Sequence, residues 1–309
     1  MRYIDLHCDT LTVCADKGLS LFNCNLQTDF NKLLKSGCAA QCFAVFTEGE
    51  NAAADFERYI AFYKSQISES DICRPVINYG DFALAESEGK LGCILTVENL
   101  GFIGGDLGRI DRLKDEGVKM ASLVWNHENL LARPNLIFKD GLPVFEKRDN
   151  RGLTNLGREA VERLDKNKII VDISHLSDGG AEEILNMRKI PVVASHSNAC
   201  GVCNVSRNLT DSLIKKIADC GGVIGVNFCH DFLGGETLES VYSHIIYIMN
   251  RGGEDCVALG SDFDGIPVND GLESCEKMPN LLDFLEKRGI SHKILQKIAY
   301  KNFLRVFEE

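Results

Sequence analysis

The stretches Ile169-Ile-Val-Asp-Ile-Ser-His175 and Pro191-Val-Val-Ala-Ser-His196 share one pattern, a short apolar run that ends in Ser-His. An apolar run of four to eight residues rich in Val and Ile is typical of a strand buried on both faces of a parallel sheet. The two histidines are separated by 21 positions, about one helix plus one strand. We therefore expect adjacent parallel strands that carry both imidazoles at the same height.

Three further apolar runs end in a residue that can bind a metal. They read Tyr3-Ile-Asp-Leu-His7-Cys-Asp9, Cys93-Ile-Leu-Thr-Val-Glu98 and Val257-Ala-Leu-Gly-Ser-Asp262. Residues two apart on a strand point to the same side, so His7 and Asp9 can face one mouth. Three imidazoles and three carboxylates at one rim repel and desolvate one another unless a cation compensates them. The sequence therefore predicts a metal-dependent enzyme.

Strand and helix patterns alternate along the chain. Strands are predicted at 3–8, 38–46, 91–97, 118–125, 169–174, 191–195, 222–227 and 256–261, and helices at 29–36, 53–68, 107–116, 155–167, 179–188, 210–220, 238–251, 280–288 and 291–306. This alternation predicts an α/β protein with a closed (β/α)8 TIM-type barrel, as one domain over residues 1–309. An open doubly wound sheet is the alternative, but Gly101-Phe-Ile-Gly-Gly105-Asp-Leu-Gly108 lacks the spacing of a dinucleotide motif.

Glycines and one long loop complete this prediction. Five glycines lie near helix-to-strand transitions, where a positive φ ends a helix well, namely Gly37, Gly89, Gly117, Gly221 and Gly252. Ser291 is a reasonable N-cap for the last helix. The longest irregular stretch covers residues 127–154, and a loop of that length inside a compact domain usually carries function.

Composition excludes several classes of protein. The chain has 34 basic and 45 acidic residues, a net charge of −11, and no cluster of Lys and Arg, which argues against nucleic acid or an anionic membrane as a partner. We find no targeting segment and no apolar stretch long enough to span a bilayer. Thirteen cysteines, many inside apolar runs, indicate reduced thiols and a cytoplasmic protein. Cys200 and Cys203 form a single CxxC, for which we expect no function.

The metal chemistry follows from the kinds of ligand. One mononuclear site needs three or four protein ligands, and five candidates remain when Asp262 is set aside. A carboxylate such as Glu98 can bridge two ions, and such a pair activates water and polarises a carbonyl. Imidazole and carboxylate without thiolate suit Zn²⁺ and leave Mn²⁺, Co²⁺ and Fe²⁺ open.

Six motifs together resemble those of the membrane (renal) dipeptidase family of amidohydrolase-type metal-dependent hydrolases. They are Leu6-His-Cys-Asp9, Val97-Glu98, Asp172-Ile-Ser-His175, Ser195-His-Ser197, Ser206-Arg-Asn208 and Gly260-Ser-Asp-Phe-Asp-Gly265. The similarity covers essentially the whole chain, in order and with matching intervals. It implies a (β/α)8 barrel that holds two zinc ions and hydrolyses free dipeptides, including many with a C-terminal D-residue.

The resemblance also implies residue roles. His7, Asp9 and Glu98 would bind one zinc, and Glu98, His175 and His196 the other, with Glu98 bridging. Asp262 would accept and donate the proton beside the bridging hydroxide. Arg207 would pair with the substrate's C-terminal carboxylate, for which its planar fork is suited. His127 would hydrogen-bond the scissile carbonyl as charge develops.

The departures from the family and the alternatives also bear on function. Mammalian members carry a signal peptide and a lipid anchor. Because we expect neither in this chain, it resembles a soluble microbial-type member. His230, His244 and His292 match no site motif and are read as surface or packing residues. The expected partner is a small peptide, and a homodimer is left open. Hydrolysis of an N-acyl amino acid, a lactam or a lactone, or a metal-binding scaffold without catalysis, remain as alternatives.

Overall fold

The structure is a computed structural model, and it describes residues 1–145, 147–188, 190–267 and 270–308. Residue 146 of the predicted 127–154 loop lies outside the described residues.

Eight parallel strands close into a barrel, as the sequence predicts. The described part of the chain has eleven strands, of which eight form the barrel: β1 Tyr3–Cys8, β2 Cys38–Phe46, β3 Cys73–Pro75, β4 Leu91–Glu98, β5 Val118–Ser122, β6 Ile137–Lys139, β7 Leu142–Val144, β8 Ile170–Asp172, β9 Val193–Ala194, β10 Val223–Val226 and β11 Val257–Leu259. The ring runs β1, β2, β4, β5, β8, β9, β10, β11, and β11 pairs with β1 to close it. All barrel pairings are parallel, so the carboxyl ends of the strands form one rim. β3 adds to the start of β4, while β6 and β7 form an antiparallel hairpin in the long loop.

The helices surround the barrel. They are α1 Thr10–Lys17, α2 Phe30–Lys35, α3 Ala52–Ser68, α4 Tyr79–Ser87, α5 Gly108–Asp115, α6 Asn155–Lys166, α7 Asp178–Met187, α8 Asp211–Asp219, α9 His230–Leu233, α10 Leu238–Gly252, α11 Met278–Lys287, α12 His292–Gln296 and α13 Asn302–Glu308. Short 3₁₀ helices cover Leu100–Ile103 and Cys275–Lys277. The continuous helix predicted at 291–306 is instead α12 and α13 joined by a π-helical turn at Lys297–Lys301. The Ser291 hydroxyl accepts a bond from the amide of Ile294, so the predicted N-cap is confirmed.

The predicted helix-ending glycines are confirmed at four of five positions. Gly37, Gly89, Gly117 and Gly221 have positive φ. The prediction for Gly252 is wrong, because Gly252 is still helical and the positive φ of 88° falls on Gly253. With two consecutive glycines, the apolar pattern of α10 does not decide which one leaves the helix.

Apolar packing joins the last helix to the barrel strands. The last helix, α13, contributes Phe303, Val306 and Phe307 to a buried cluster with residues of several barrel strands, among them Ile4 and Met120.

All thirteen cysteines are free thiols. Within the described part of the chain, we find no helix with the length and apolar character required to cross a bilayer.

Candidate metal centre

A cavity of about 350 Å³ opens at the carboxyl ends of the barrel strands. Its lining combines acidic, aromatic and aliphatic side chains with one arginine, namely Asp9, Thr12, Val13, Asp16, Phe46, Glu98, Trp125, Asn126, Leu136, His175, Arg207, Phe232, Asp262, Asp264, Gly265 and Ile266. Active sites of (β/α)8 barrels lie at this end, where the loops after the strands meet. Six of the predicted site residues lie at or just beyond the carboxyl ends of β1, β4, β8, β9 and β11 and come together at this rim, namely His7, Asp9, Glu98, His175, His196 and Asp262.

The imidazole of His7 faces three carboxylates. Its Nε2 lies 3.5 Å from Asp9 Oδ2, 3.6 Å from Glu98 Oε2 and 3.8 Å from Asp262 Oδ1. This nitrogen is buried and has no hydrogen-bond partner among the described residues. A buried polar atom that is left unpaired costs free energy, so oxygens and nitrogen aimed at one point favour a shared cation there.

A second group of ligand atoms surrounds the other oxygen of Glu98. Glu98 Oε1 lies 2.9 Å from His175 Nε2 and 3.5 Å from His196 Nε2. The two ring nitrogens are themselves 2.9 Å apart. Glu98 therefore directs Oε2 toward His7 and Oε1 toward the histidine pair.

The two groups form one compact cluster. Ligand atoms of His7, Glu98 and His196 lie within 4.8 Å of one another, as do those of His7, Asp9 and Asp262. The donors are imidazole nitrogens and carboxylate oxygens, the set that suits zinc and other divalent transition metals. The residues present thus fit the metal ions that this kind of site holds.

Burial and mutual charge shift the protonation of this cluster. Burial opposes the charged form of His7, but Glu98 and Asp9 outweigh it and raise the pKa of His7 to about 10. Burial raises the pKa of Glu98 well above its usual value and that of Asp262 to about 6. Burial also lowers the pKa of His175 below its usual value, and the positive charge of Arg207 adds to this shift.

Arg207 is buried beside the histidine pair, with only 2% of its surface exposed. Its Nη2 lies 3.0 Å from His175 Nε2 and donates to the carbonyl of His196 at 3.2 Å, while Nη1 bonds the carbonyl of Ser174. The guanidinium lies 5.6 Å from the ring of Phe232, and both residues line the cavity. The loop after β9 therefore brings one fixed positive group to an otherwise acidic cavity.

Asp262 lies opposite His7, and its backbone adopts a left-handed conformation. Its φ is +64°, and its amide bonds the carbonyl of His7 at 3.2 Å. Asn227 donates to Asp262 Oδ2 at 2.8 Å, which leaves Oδ1 turned toward His7. The preceding Ser261 is held by the buried Asp5, which accepts from the Ser261 amide at 2.7 Å and from its hydroxyl at 2.6 Å.

The structure does not bring His127 to this cluster. Its side chain is 60% exposed, bonds Glu48 at 2.6 Å, and stacks on Phe138 of the β6–β7 hairpin at 5.1 Å. The neighbouring Asn126 lines the cavity instead, and its Oδ1 lies 3.0 Å from His175 Nδ1. The proposed contact between His127 and a scissile carbonyl stays a prediction. Sequence reasoning missed Asn126, since no periodic pattern continues beyond β5 to orient its side chain.

The remaining predicted bystanders lie outside the cluster. His230 and His292 lie beside Asp231 and Glu286, at 3.2 and 3.4 Å. His244 is wholly buried and bonds two backbone groups, the amide of Ala199 at 3.0 Å and the carbonyl of Leu233 at 3.1 Å. The half-buried thiols of the CxxC bond separate partners, Asn204 for Cys200 and the carbonyl of Asp231 for Cys203.

Comparison with known proteins agrees with this geometry. The barrel and the cluster of imidazoles and carboxylates at its rim are the features of a metal-dependent hydrolase. The chain matches the family model Membrane dipeptidase (Peptidase family M19) over residues 1–309. It belongs to that family and is a metallopeptidase.

Individual relatives share this relationship. An uncharacterized dipeptidase of Schizosaccharomyces pombe is 31% identical over 306 residues, which cover 91% of this chain and 73% of the relative. A metallopeptidase from Rhodobacter sphaeroides, solved with a phosphinate mimic of the dipeptide L-Ala-D-Ala, superposes with a TM-score of 0.91 at 22% identity, covering 100% and 99% of the two chains. An amidohydrolase from Pseudomonas aeruginosa has a TM-score of 0.84 at 27% identity, covering 99% and 95%.

Proposed function

We propose that this chain is a dinuclear zinc dipeptidase that hydrolyses free dipeptides, including those with a C-terminal D-residue. The observation that carries the proposal is the orientation of the Glu98 carboxylate, whose two oxygens face two different sets of ligand atoms. A carboxylate placed in this way is suited to bridge two ions.

The proposed ligands fall into two sets. His7, Asp9 and Glu98 would hold one zinc ion, and Glu98, His175 and His196 the other. When bound, such a pair supplies Lewis-acid activation of water and of the scissile carbonyl. Membership of a metallopeptidase family and the nitrogen and oxygen donor set support this assignment. Mn²⁺, Co²⁺ and Fe²⁺ bind similar donors, so the identity of the metal is a separate question for experiment.

Asp262 and Arg207 would do the chain's own work in the reaction. Asp262 presents Oδ1 toward the cluster and would take a proton from the attacking water and deliver it to the leaving amine. Arg207 would hold the substrate's C-terminal carboxylate through its planar fork. Because its guanidinium already lies beside His175, a carboxylate bound there would place the preceding peptide bond close to the cluster.

The size and charge of the cavity agree with a dipeptide as substrate. About 350 Å³ is at the small end of ligand pockets. Arg207 can neutralise one carboxylate, and Asp16 and Asp264 line the same cavity, where they offer acceptors to a substrate ammonium group. Asp16 also pairs with Arg58 at 2.7 Å. The R. sphaeroides neighbour was solved with a mimic of a dipeptide that ends in D-Ala, which supports including D-residues in the tests.

A panel of substrates tests the proposal directly. We expect turnover of L-Xaa-L-Xaa or L-Xaa-D-Xaa dipeptides by zinc-loaded protein, and slower turnover of N-acetyl amino acids, lactams and lactones. N-acetyl amino acids also present a carboxylate to Arg207, so faster turnover of these would move the assignment to an acylase. Absence of turnover of the whole panel with metal bound would leave a non-catalytic scaffold.

Metal stoichiometry tests the bridging role of Glu98 separately. Glu98→Ala should lower bound zinc from two equivalents per chain and abolish activity, because the two carboxylate oxygens of Glu98 face the two sets of ligand atoms. Elemental analysis of the purified variant gives the number of ions. Two tightly bound zinc ions in the variant would show that the bridge is assigned wrongly.

A further inference from the structure

We infer that Asp172 is a positioning residue that holds His175 and His196 in place through the serine that precedes each of them. The inference rests on the proposed metal site, to which it adds a residue that touches neither metal nor substrate. It also gives a reason for the repeated Ser-His ending of two neighbouring barrel strands.

The carboxylate of Asp172 accepts four hydrogen bonds from two serines. Asp172 is the last residue of β8 and is buried at the rim of the barrel. Its Oδ1 accepts from the amide of Ser174 at 3.0 Å, from the hydroxyl of Ser174 at 2.7 Å and from the amide of Ser195 at 3.0 Å. Its Oδ2 accepts from the hydroxyl of Ser195. One carboxylate therefore joins the end of β8 to the end of β9.

The direction of these bonds determines where His196 carries its proton. A hydroxyl has one hydrogen, and an ionised carboxylate only accepts, so the hydrogen of Ser195 belongs to the bond with Asp172. Ser195 Oγ can then only accept from His196 Nδ1, which lies 2.7 Å away. We therefore assign a hydrogen to Nδ1 of His196, and in the neutral ring the lone pair on Nε2 then faces Glu98 and His175. This is the form that binds a metal through Nε2.

Ser174 extends the same control to the second histidine. Its hydroxyl, whose hydrogen is directed to Asp172, accepts the amide of His196 at 3.1 Å. The carbonyl of Ser174 accepts from Arg207, and the next residue along the chain is His175. Displacement of Ser174 would therefore shift the start of the loop that carries His175. The ring of His175 is held separately, by Asn126 at Nδ1.

An amide at position 172 would remove this control while keeping the volume. Asparagine offers one oxygen and one NH₂ group, so at least one serine would meet a donor where it now meets an acceptor. If the NH₂ group faces Ser195, the serine hydroxyl is free to donate to His196 Nδ1. The proton on the ring would then move to Nε2, the atom that should bind the metal. Loss of a residue that orients a metal ligand through hydrogen bonds typically changes metal affinity by roughly 10- to 100-fold.

The experiment compares wild type, Asp172→Asn, Ser195→Ala and a matched control, Asp5→Asn. Asp5 is a second buried carboxylate whose oxygens bond a serine amide and hydroxyl, but that serine is Ser261. Nitrogen-15 NMR of the metal-free proteins, assigned with a His196→Gln variant, reports the tautomer of His196. Competition with a chelator gives the zinc dissociation constant, and thermal melting of the metal-free protein monitors folding.

We expect wild type and Asp5→Asn to carry the His196 proton on Nδ1. Asp172→Asn and Ser195→Ala should alter the ¹⁵N shifts of His196 and weaken zinc binding by roughly 10- to 100-fold. Ser195→Ala removes one hydroxyl only, so it tests the inference even if Asp172→Asn does not fold. Unchanged ¹⁵N shifts and zinc affinity in Ser195→Ala would overturn the inference. Wild-type protein that binds no zinc would instead refute the proposed metal site, whereas the tautomer measurement is made without metal or substrate.

Discussion

Gly265 lies so close to Asp9 that a Cβ at position 265 would overlap the carboxylate oxygen Oδ2. The same Cβ would come within 2.8 Å of Asp262 Oδ1. The backbone of the loop after β11 therefore covers two carboxylates of the cluster directly, and only glycine leaves them in place.

Gly265→Ala should therefore displace Asp9 and Asp262 and weaken metal binding. We expect loss of the zinc ion that His7 and Asp9 would hold. We also expect kcat/KM to fall by at least about tenfold, because a loss of roughly 1.4 kcal/mol of transition-state stabilisation lowers the rate tenfold. Gly108→Ala is a suitable control, because its Cβ would meet only the exposed side chain of Asp106 at 3.0 Å. Full zinc content in Gly265→Ala would show that the loop yields and that this close approach has no consequence.

Asp262 should matter for chemistry more than for metal binding. Asp262→Asn keeps the size of the side chain and one oxygen, so both ions should remain, while kcat should fall by roughly 10²- to 10⁴-fold as for a lost proton-transfer group. Elemental analysis and kcat are measured on the same preparation. A variant with near wild-type kcat would remove Asp262 from the mechanism.

At Asn126 and His127, the predicted site residue and the side chain found at the cavity differ. Asn126 lines the cavity and contacts His175, whereas His127 is exposed beside Glu48. We expect Asn126→Ala to lower kcat/KM by more than tenfold, because one ligand loses its orienting partner. His127→Ala, compared under the same conditions, should change it less. A larger loss in His127→Ala would support the carbonyl contact implied by the family resemblance.

The residues at strand ends could be predicted from the sequence, whereas the loop residues could not. Buried parallel strands have near-continuous apolar runs, so the strands that carry His7 and Glu98, predicted at 3–8 and 91–97, are found at Tyr3–Cys8 and Leu91–Glu98. The strand predicted at 118–125 ends instead at Ser122. Beyond the strand ends no period constrains the chain, and the choice between Asn126 and His127 depends on one residue of loop conformation. The role we infer for Asp172 escapes the same reading, because a strand residue pattern does not reveal hydrogen bonds to the neighbouring strand.

His244 should make the stability of the fold depend on pH. Burial lowers the pKa of His244 to about 4, against an ordinary value of 6.5. The unfolded chain binds a proton at this residue as the pH falls below 6.5, while the folded chain does not until about pH 4. The free energy of unfolding should therefore decrease between pH 6.5 and 4, by up to about 3 kcal/mol from this group.

Denaturant unfolding of metal-free protein at several pH values measures this effect. The control is His244→Asn, which retains an oxygen near the amide of Ala199 but no longer titrates. His292→Asn, at an exposed site, should behave as wild type. Equal pH dependence in wild type and His244→Asn would assign the acid sensitivity to other groups.

Arg207 should measure the length of the substrate from its carboxylate end. A buried charge-assisted pair commonly loses on the order of 2–5 kcal/mol when one partner is truncated, so Arg207→Ala should lower kcat/KM for free dipeptides by roughly 30- to 4,000-fold. C-terminally amidated dipeptides lack the carboxylate and should lose much less. Arg207→Lys keeps the charge without the planar fork and should lie between the two.

The structure also supplies the reason to measure both substrates. Arg207 bonds the carbonyls of Ser174 and His196, so a purely structural loss would disturb the cluster and slow both substrates alike. A selective loss on free dipeptides, with zinc content unchanged, would therefore assign Arg207 to carboxylate binding. Equal losses on free and amidated dipeptides would make Arg207 a structural support for the loop after β9. The proposal of a dipeptide substrate would then lose the positive group that binds the C-terminal carboxylate.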